Sequence, residues 1–222
     1  MTIEIWSDFA CPFCYIGEAH LSKALSDLDA ENISVEFKSF ELDPAADVKV
    51  VSSTAERFAE KYGMSLTAAT ERIDEISRMG RDAGIDFKYL TTRYTNTFDA
   101  HRLTKFAQSK GHDEIVLKLF DAYFTKNLEL ANFDVLKKIA VECGLDGNEV
   151  DDILNGDSYA EDVRVDELTA ARLGIHAVPY FVIGGKYGLS GAQPVEILKQ
   201  AITDAQGTEN FGDMACGVDG CR

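Results

Sequence analysis

Two cysteines spaced by two residues, Cys11-Pro12-Phe13-Cys14, stand where an alternating run gives way to helical spacing. The run is Thr2 to Ser7, it turns through Asp8-Phe9-Ala10, and beyond it Phe13, Ile16, Leu21, Leu25 and Leu28 recur at intervals of three to five. Pro12 suits a first helical turn, because its missing N–H would have no intrahelical partner there. Cys11 then sits at a helix N-terminus, where free N–H groups and the positive end of the dipole favour a thiolate. A thiolate is the nucleophile in thiol–disulfide exchange. Cys14, one turn on and on the same side, can attack the resulting mixed disulfide and release the substrate. A bare Cys-x-x-Cys also fits two inert thiols or half a zinc site. The strand–turn–helix placement favours the redox reading.

The chain has 222 residues and five cysteines, too sparse and too odd a set for the disulfide framework of a small secreted domain. Cys216 and Cys221 flank a segment with two glycines, Gly217 and Gly220, flexible enough to bring the sulfurs together. A local disulfide or two free thiols fit that pair equally. Cys11, Cys14, Cys216 and Cys221 would also suffice for a tetrahedral zinc site, although a catalytic-type turn has no purpose there. Cys143 ends an apolar helix face and reads as an inert core thiol. A proline opens the late strand Ala177-Val178-Pro179-Tyr180-Phe181, a tolerated position. A cis Val178–Pro179 bond would point the Val178 backbone at an incoming peptide, although trans is the commoner state of such bonds. His101 falls on a helix that can face the cysteines, where a structural role is the ordinary one. His176, two residues before Val178, is placed to influence Cys11. His20 and His112 read as surface positions. Trp6 and Phe9 are expected near the cysteines, with Tyr15 shaping a substrate groove.

These residues need elements to position them. Thr2 to Ser7, the helix from Pro12 and a strand at Ile33 to Phe40 form a βαβ unit, expected to be parallel and right-handed. From about Ser53 to Arg172 the spacing is helical almost throughout, with glycines at 84, 111, 144 and 174 as stops. Strand character returns at Pro179 to Ile183, Gly184-Gly185 reads as a two-residue hairpin turn, and Val195 to Ala205 as a last helix. The expected layout is one α/β domain split by helices: 1–45 and 161–206 as its two parts, 46–160 as the insertion, and 207–222 as a flexible cysteine-containing tail.

Thirty-eight acidic against 22 basic side chains give a formal net charge of −16. Such a field repels nucleic acid and anionic membranes. No stretch approaches the roughly 20 apolar residues that span a bilayer, and no export leader is visible. These features lead to the expectation of a cytoplasmic protein. In a reducing compartment glutathione opposes stable disulfides, so a reductase or isomerase direction is expected over bulk oxidation.

In combination, the segments Asp8-Phe9-Ala10-Cys11-Pro12-Phe13-Cys14-Tyr15-Ile16-Gly17, Asn96-Thr97-Phe98-Asp99-Ala100-His101-Arg102-Leu103, Gly174-Ile175-His176-Ala177-Val178-Pro179-Tyr180-Phe181 and Gly191-Ala192-Gln193 resemble the DsbA-like thioredoxin family, in particular its cytosolic FrnE-type branch. The resemblance covers nearly the whole chain. It implies a thioredoxin fold with a helical insertion, a cis Pro179, and oxidoreductase or isomerase activity on protein disulfides. Cys11 is then the attacking thiol, Cys14 the resolving thiol, and Val178 and Pro179 contact substrate, with Pro12, Phe13, His101 and His176 as neighbours of the site. It implies no required cofactor or metal, with glutathione as a candidate thiol donor. It also implies that Cys216 and Cys221 relay electrons to the first pair. Periplasmic DsbA proteins carry His between their cysteines; Phe13 brings no positive charge, which implies a milder oxidant. Kappa-class glutathione transferases and 2-hydroxychromene-2-carboxylate isomerases share the split fold but usually have Ser at the position of Cys11.

Overall fold

The computed structural model of the chain describes residues 1–30 and 32–212. Strand β1 (Thr2–Ser7), helix α1 (Pro12–Asp27) and strand β2 (Ser34–Ser39) form the opening unit, with β1 and β2 parallel and in register from Thr2↔Ser34 to Ser7↔Ser39. The helical stretch follows as α2 (Thr54–Tyr62), α3 (Leu66–Asp82), a short 3₁₀ turn at Tyr89–Thr91, α4 (Phe98–Ser109), α5 (Ile115–Phe124), α6 (Phe133–Glu142), α7 (Gly147–Asn155) and α8 (Ala160–Arg172). Strands β3 (Tyr180–Ile183) and β4 (Tyr187–Ser190) and helix α9 (Val195–Gly212) complete it. The sheet order is β2-β1-β3-β4, with β3 antiparallel to both of its neighbours. This is a DsbA-like thioredoxin fold, its sheet interrupted by helices between β2 and β3.

Local chemistry explains most boundaries. Ser53 and Glu56 form a reciprocal capping box at the start of α2, and Asn132 and Asp146 cap α6 and α7 through their side-chain oxygens. Gly184 and Gly185 both hold positive φ, 59° and 66°, as a two-residue hairpin between right-twisted strands requires. The Asn96 carboxamide oxygen accepts the Phe98 N–H at 2.8 Å, which keeps Asn96 outside α4. One end differs from the sequence expectation. Helix α9 runs on to Gly212, past the expected stop at Ala205; no proline interrupts the segment.

The core has unequal parts. Between α1 and α9, the sheet buries Ile3, Ile5, Phe181 and Ile183 against Leu21, Leu198 and Ile202. The turn carrying the cysteines instead belongs to the larger core of the inserted helices, where Phe9, Cys11 and Cys14 join Ile73, Leu103, Phe120 and Phe124. Trp6 lies with Ala170, Ile175 and Val178, the last of which faces Cys11, and its indole N–H donates to the Asp166 carbonyl at 3.0 Å. The side chain alternates to the other face of β1, which places it under α8. The Asp166 carboxylate ties that helix down by accepting the Ser39 N–H at 2.8 Å and pairing with Lys105 of α4. His20 is half-buried, not a surface residue, with Nδ1 2.8 Å from the Gln193 carbonyl. His112 lies at the surface as expected, its side chain 32% exposed, and pairs with Glu114 at 3.2 Å.

One glycine sets how closely α1 approaches β3. A Cβ on Gly17 would lie 3.1 Å from Pro179 Cγ and 3.2 Å from Phe181 Cζ. A branched side chain there must push α1 away from Pro179. We expect Gly17→Val to lower stability by about 2 kcal/mol, the usual cost of overpacking a filled core. A urea midpoint shift without a change in slope measures it, and an unchanged midpoint would mean that the helix and strand are not seated this closely.

Candidate active site

Cys11 is the last residue before α1, in extended conformation (φ −86°, ψ 115°), and Pro12 is the first helical residue. No side chain caps this end and no acidic residue occupies the first turn. The positive end of the helix dipole at Cys11 is therefore not offset. The turn is closed by the Cys11 N–H donating to the Asp8 carbonyl at 3.0 Å and the Cys14 N–H donating to the Cys11 carbonyl at 3.1 Å. Both thiols are free. The Cys11 Sγ lies 3.6 Å from the Val178 carbonyl oxygen, across from the cis Val178–Pro179 bond that the resemblance implied.

The two sulfurs have different surroundings. Cys11 lines a cleft of about 600 Å³ between the cysteine turn, the segment before Pro179, and helices α2 and α3. Pro12, Phe13, His176 and Val178 share that lining, so the structure gathers these expected neighbours around Cys11. Pro179 is buried behind them. Cys14 does not line the cleft. Burial pushes its thiol well above the ordinary range, and the neighbouring Cys11 adds to this, against the Ser7 hydroxyl and the Asp8 amide. At neutral pH Cys14 is therefore a protonated thiol, held in reserve behind Cys11. Cys143 lies in the insertion core and is likewise pushed up by burial, as an inert thiol should be. Cys216 and Cys221 lie outside the described residues. Among the described residues no helix is long and apolar enough to cross a membrane, and no cluster of His, Cys, Asp and Glu could hold a metal ion.

His101 does not line the cleft. It is fully buried beneath it, with Nε2 3.6 Å from Asp8 Oδ1 and its ring against Phe9 at 4.9 Å between centroids. It reaches the cysteine turn through Asp8 and Phe9. Asp8 is the residue that sequence reasoning passed over. Its Oδ1 accepts the Thr97 hydroxyl at 2.9 Å and the Ala10 N–H at 3.2 Å, and its Oδ2 accepts the Leu42 N–H at 2.7 Å. Burial opposes ionisation, but the His101 imidazole and the Leu42 and Ala10 amides outweigh it and hold the carboxyl below its ordinary range. An acid at a strand end, with the apolar Ile5, Trp6 and Phe9 close by, was the available signal. Tyr89 and Arg57, which also line the cleft, carried no motif at all.

A thioredoxin fold with Cys-x-x-Cys at the first strand–helix turn, facing a cis-proline, defines a class of thiol–disulfide proteins. The chain belongs to the DSBA-like thioredoxin domain family, whose model matches residues 2–203. It is similar to the probable DsbA oxidoreductase SCO1869 from Streptomyces coelicolor, at 36% identity and a TM-score of 0.87, over 100% of this chain and 98% of that one. It is 29% identical to the uncharacterized protein YwbO of Bacillus subtilis over 92% of this chain and 96% of the relative. A 2-hydroxychromene-2-carboxylate isomerase shares the fold at a TM-score of 0.70 and 15% identity, over 97% of this chain and 100% of that one.

A carboxylate with a depressed native pKa stabilises the fold above its unfolded pKa of about 3.9 and loses that contribution as pH falls through the native value. Asp8→Asn, which puts an amide N–H among donors, is expected to cost about 2 kcal/mol near neutral pH. The deficit should shrink on acidification below about pH 4. Paired urea titrations across pH would show it; a deficit independent of pH would mean that Asp8 is not ionised in the fold.

Proposed function

We propose that this oxidoreductase-family protein is a thiol–disulfide oxidoreductase or isomerase of the FrnE type, acting on protein disulfides in the cytoplasm. One observation carries the reading: the Cys11 sulfur lines a cleft beside the Val178 carbonyl, while Cys14, one turn on, is buried away from that cleft. The Cys11 thiolate attacks one sulfur of a substrate disulfide, forming a mixed disulfide while the other substrate sulfur leaves as thiolate and takes up a proton. Cys14 then gives up its proton and attacks Cys11 Sγ. The second substrate thiol departs and the Cys11–Cys14 disulfide holds the two oxidising equivalents. Val178 and Pro179 receive the substrate backbone. A cellular thiol, glutathione being the abundant one, returns the pair to the dithiol, with Cys216 and Cys221 as the intermediate relay. If the substrate thiolate re-attacks before Cys14 does, the outcome is isomerisation without net electron transfer. Phe13 between the cysteines makes the pair a milder oxidant than a His there would. A glutathione-dependent small-molecule isomerase fits the fold, but the intact cysteine pair argues against it.

Cys14→Ser should accumulate mixed disulfides with cellular proteins at Cys11, and Cys11→Ser should lose both the adducts and the reactivation of a protein with scrambled disulfides. Adducts with glutathione alone, and none with protein, would replace protein disulfides by a small-molecule substrate.

A further inference from the structure

One wall of the cleft beside Cys11 carries two cations, Arg57 and Lys61, that form no ion pair among the described residues, although Asp43 and Glu60 line an adjoining groove with them. Helix α2 places Arg57 and Lys61 one turn apart on the same face, and both line the cleft. The Arg57 guanidinium lies 3.7 Å from the Tyr94 ring centroid, and its Nε is buried with no hydrogen-bond partner. Lys61 Nζ has only the face of Tyr62, 5.9 Å away. Among the described residues neither cation forms an ion pair, whereas Arg72 on the facing helix α3 is paired with Glu75. Glu71 of α3 is the other carboxylate on the lining, and it is exposed. Arg57 acts electrostatically on the phenols of Tyr89, Tyr94 and Tyr123, each of which burial pushes up against it.

In a chain of net charge −16, two cations one turn apart on one cleft wall both stand without an ion pair among the described residues. A buried guanidinium N–H without an acceptor costs free energy that a ligand can recover. The group that matches a guanidinium in shape and charge is a carboxylate, accepting two parallel N–H bonds. Arg57 and Cys11 open on the same cavity, so a molecule that presents sulfur to one can present its anion to the other.

We propose that Arg57, assisted by Lys61, recognises a carboxylate near the scissile bond, so that the cleft selects anionic disulfides. The inference rests on the thiol–disulfide reading above. A low-molecular-weight dicarboxylate disulfide and a peptide with an acidic residue beside its cysteine present the same group.

The test is single-turnover oxidation of the pre-reduced full chain: two electrons pass from Cys11 and Cys14 to the added disulfide, which becomes two thiols. Rates are read by acid quench and mass. The small probes are bis(2-hydroxyethyl) disulfide (neutral), 3,3′-dithiodipropionate (anionic) and cystamine (cationic); disulfide-linked peptides with Asp or Asn beside Cys form the second arm. Each rate is divided by that of 2-mercaptoethanol with the same probe, to remove intrinsic reactivity. The normalised anionic-to-neutral ratio should exceed one by about tenfold, the worth of one charge-assisted hydrogen bond. It should fall about tenfold in Arg57→Met, less in Arg57→Lys, and in part in Lys61→Met, a second variant that serves if the first fails to fold. A preference confined to the small probe supports a low-molecular-weight partner, and one shown by the Asp over the Asn peptide supports an acidic protein segment. A wild-type ratio at or below one, or a ratio unmoved in the folded variants, overturns the inference and leaves the thiol–disulfide reading intact. A wild-type chain oxidised by none of the probes overturns both.

Discussion

A buried anion must find donors, and the Asp8 carboxylate finds them in three separate parts of the chain. Ala10 donates from the cysteine turn, Leu42 from the segment after β2, and Thr97 from the threshold of α4, with His101 of that helix 3.6 Å away. Removing any one of these leaves a buried charge with fewer donors, which is costly in the interior. The turn carrying Cys11 is therefore fixed both to its own sheet and to the inserted helices. Phe9, stacked on Phe37 at 5.0 Å and close to His101 and Phe120, extends that fixation through apolar contact.

The division of labour between the two sulfurs follows. Because the turn is clamped, Cys14 stays behind it in the core while Cys11 faces the cleft, and burial keeps the Cys14 thiol protonated. The inserted helices supply what the thioredoxin sheet does not: α2 and α3 form the wall opposite Val178, and with it the apolar surface and the charge that a substrate would meet. Gly17 lets α1 lie close enough to Pro179 for the Cys11 sulfur to reach the Val178 carbonyl.

Much of this was legible in the chain, and what was not has a common cause. The Cys-x-x-Cys, the βαβ start and the Gly184-Gly185 hairpin are local signals, set by period and turn chemistry within a few residues. Asp8 and Thr97 are 89 residues apart, and nothing near either announces the other. His101 was placed on a helix that can face the cysteines, but which turn of α4 meets Asp8 is decided by how α4 packs against α7 and α8. Trp6 shows the same limit within a strand: alternation gave two faces, and only the position of α8 determined which face held the indole. Arg57 became visible once α2 and the cysteine turn were seen to share a cavity.

The central claim is that Cys11 and Cys14 form one reversible two-electron couple. Equilibrating the full chain with a series of reduced and oxidised dithiothreitol ratios, quenching with acid, and mapping the disulfides by mass tests it directly. The account predicts a single reversible transition in which a Cys11–Cys14 disulfide forms at the loss of two hydrogens. A chain in which these two cysteines stay unlinked across the whole series, while Cys216 and Cys221 alone oxidise, would contradict it.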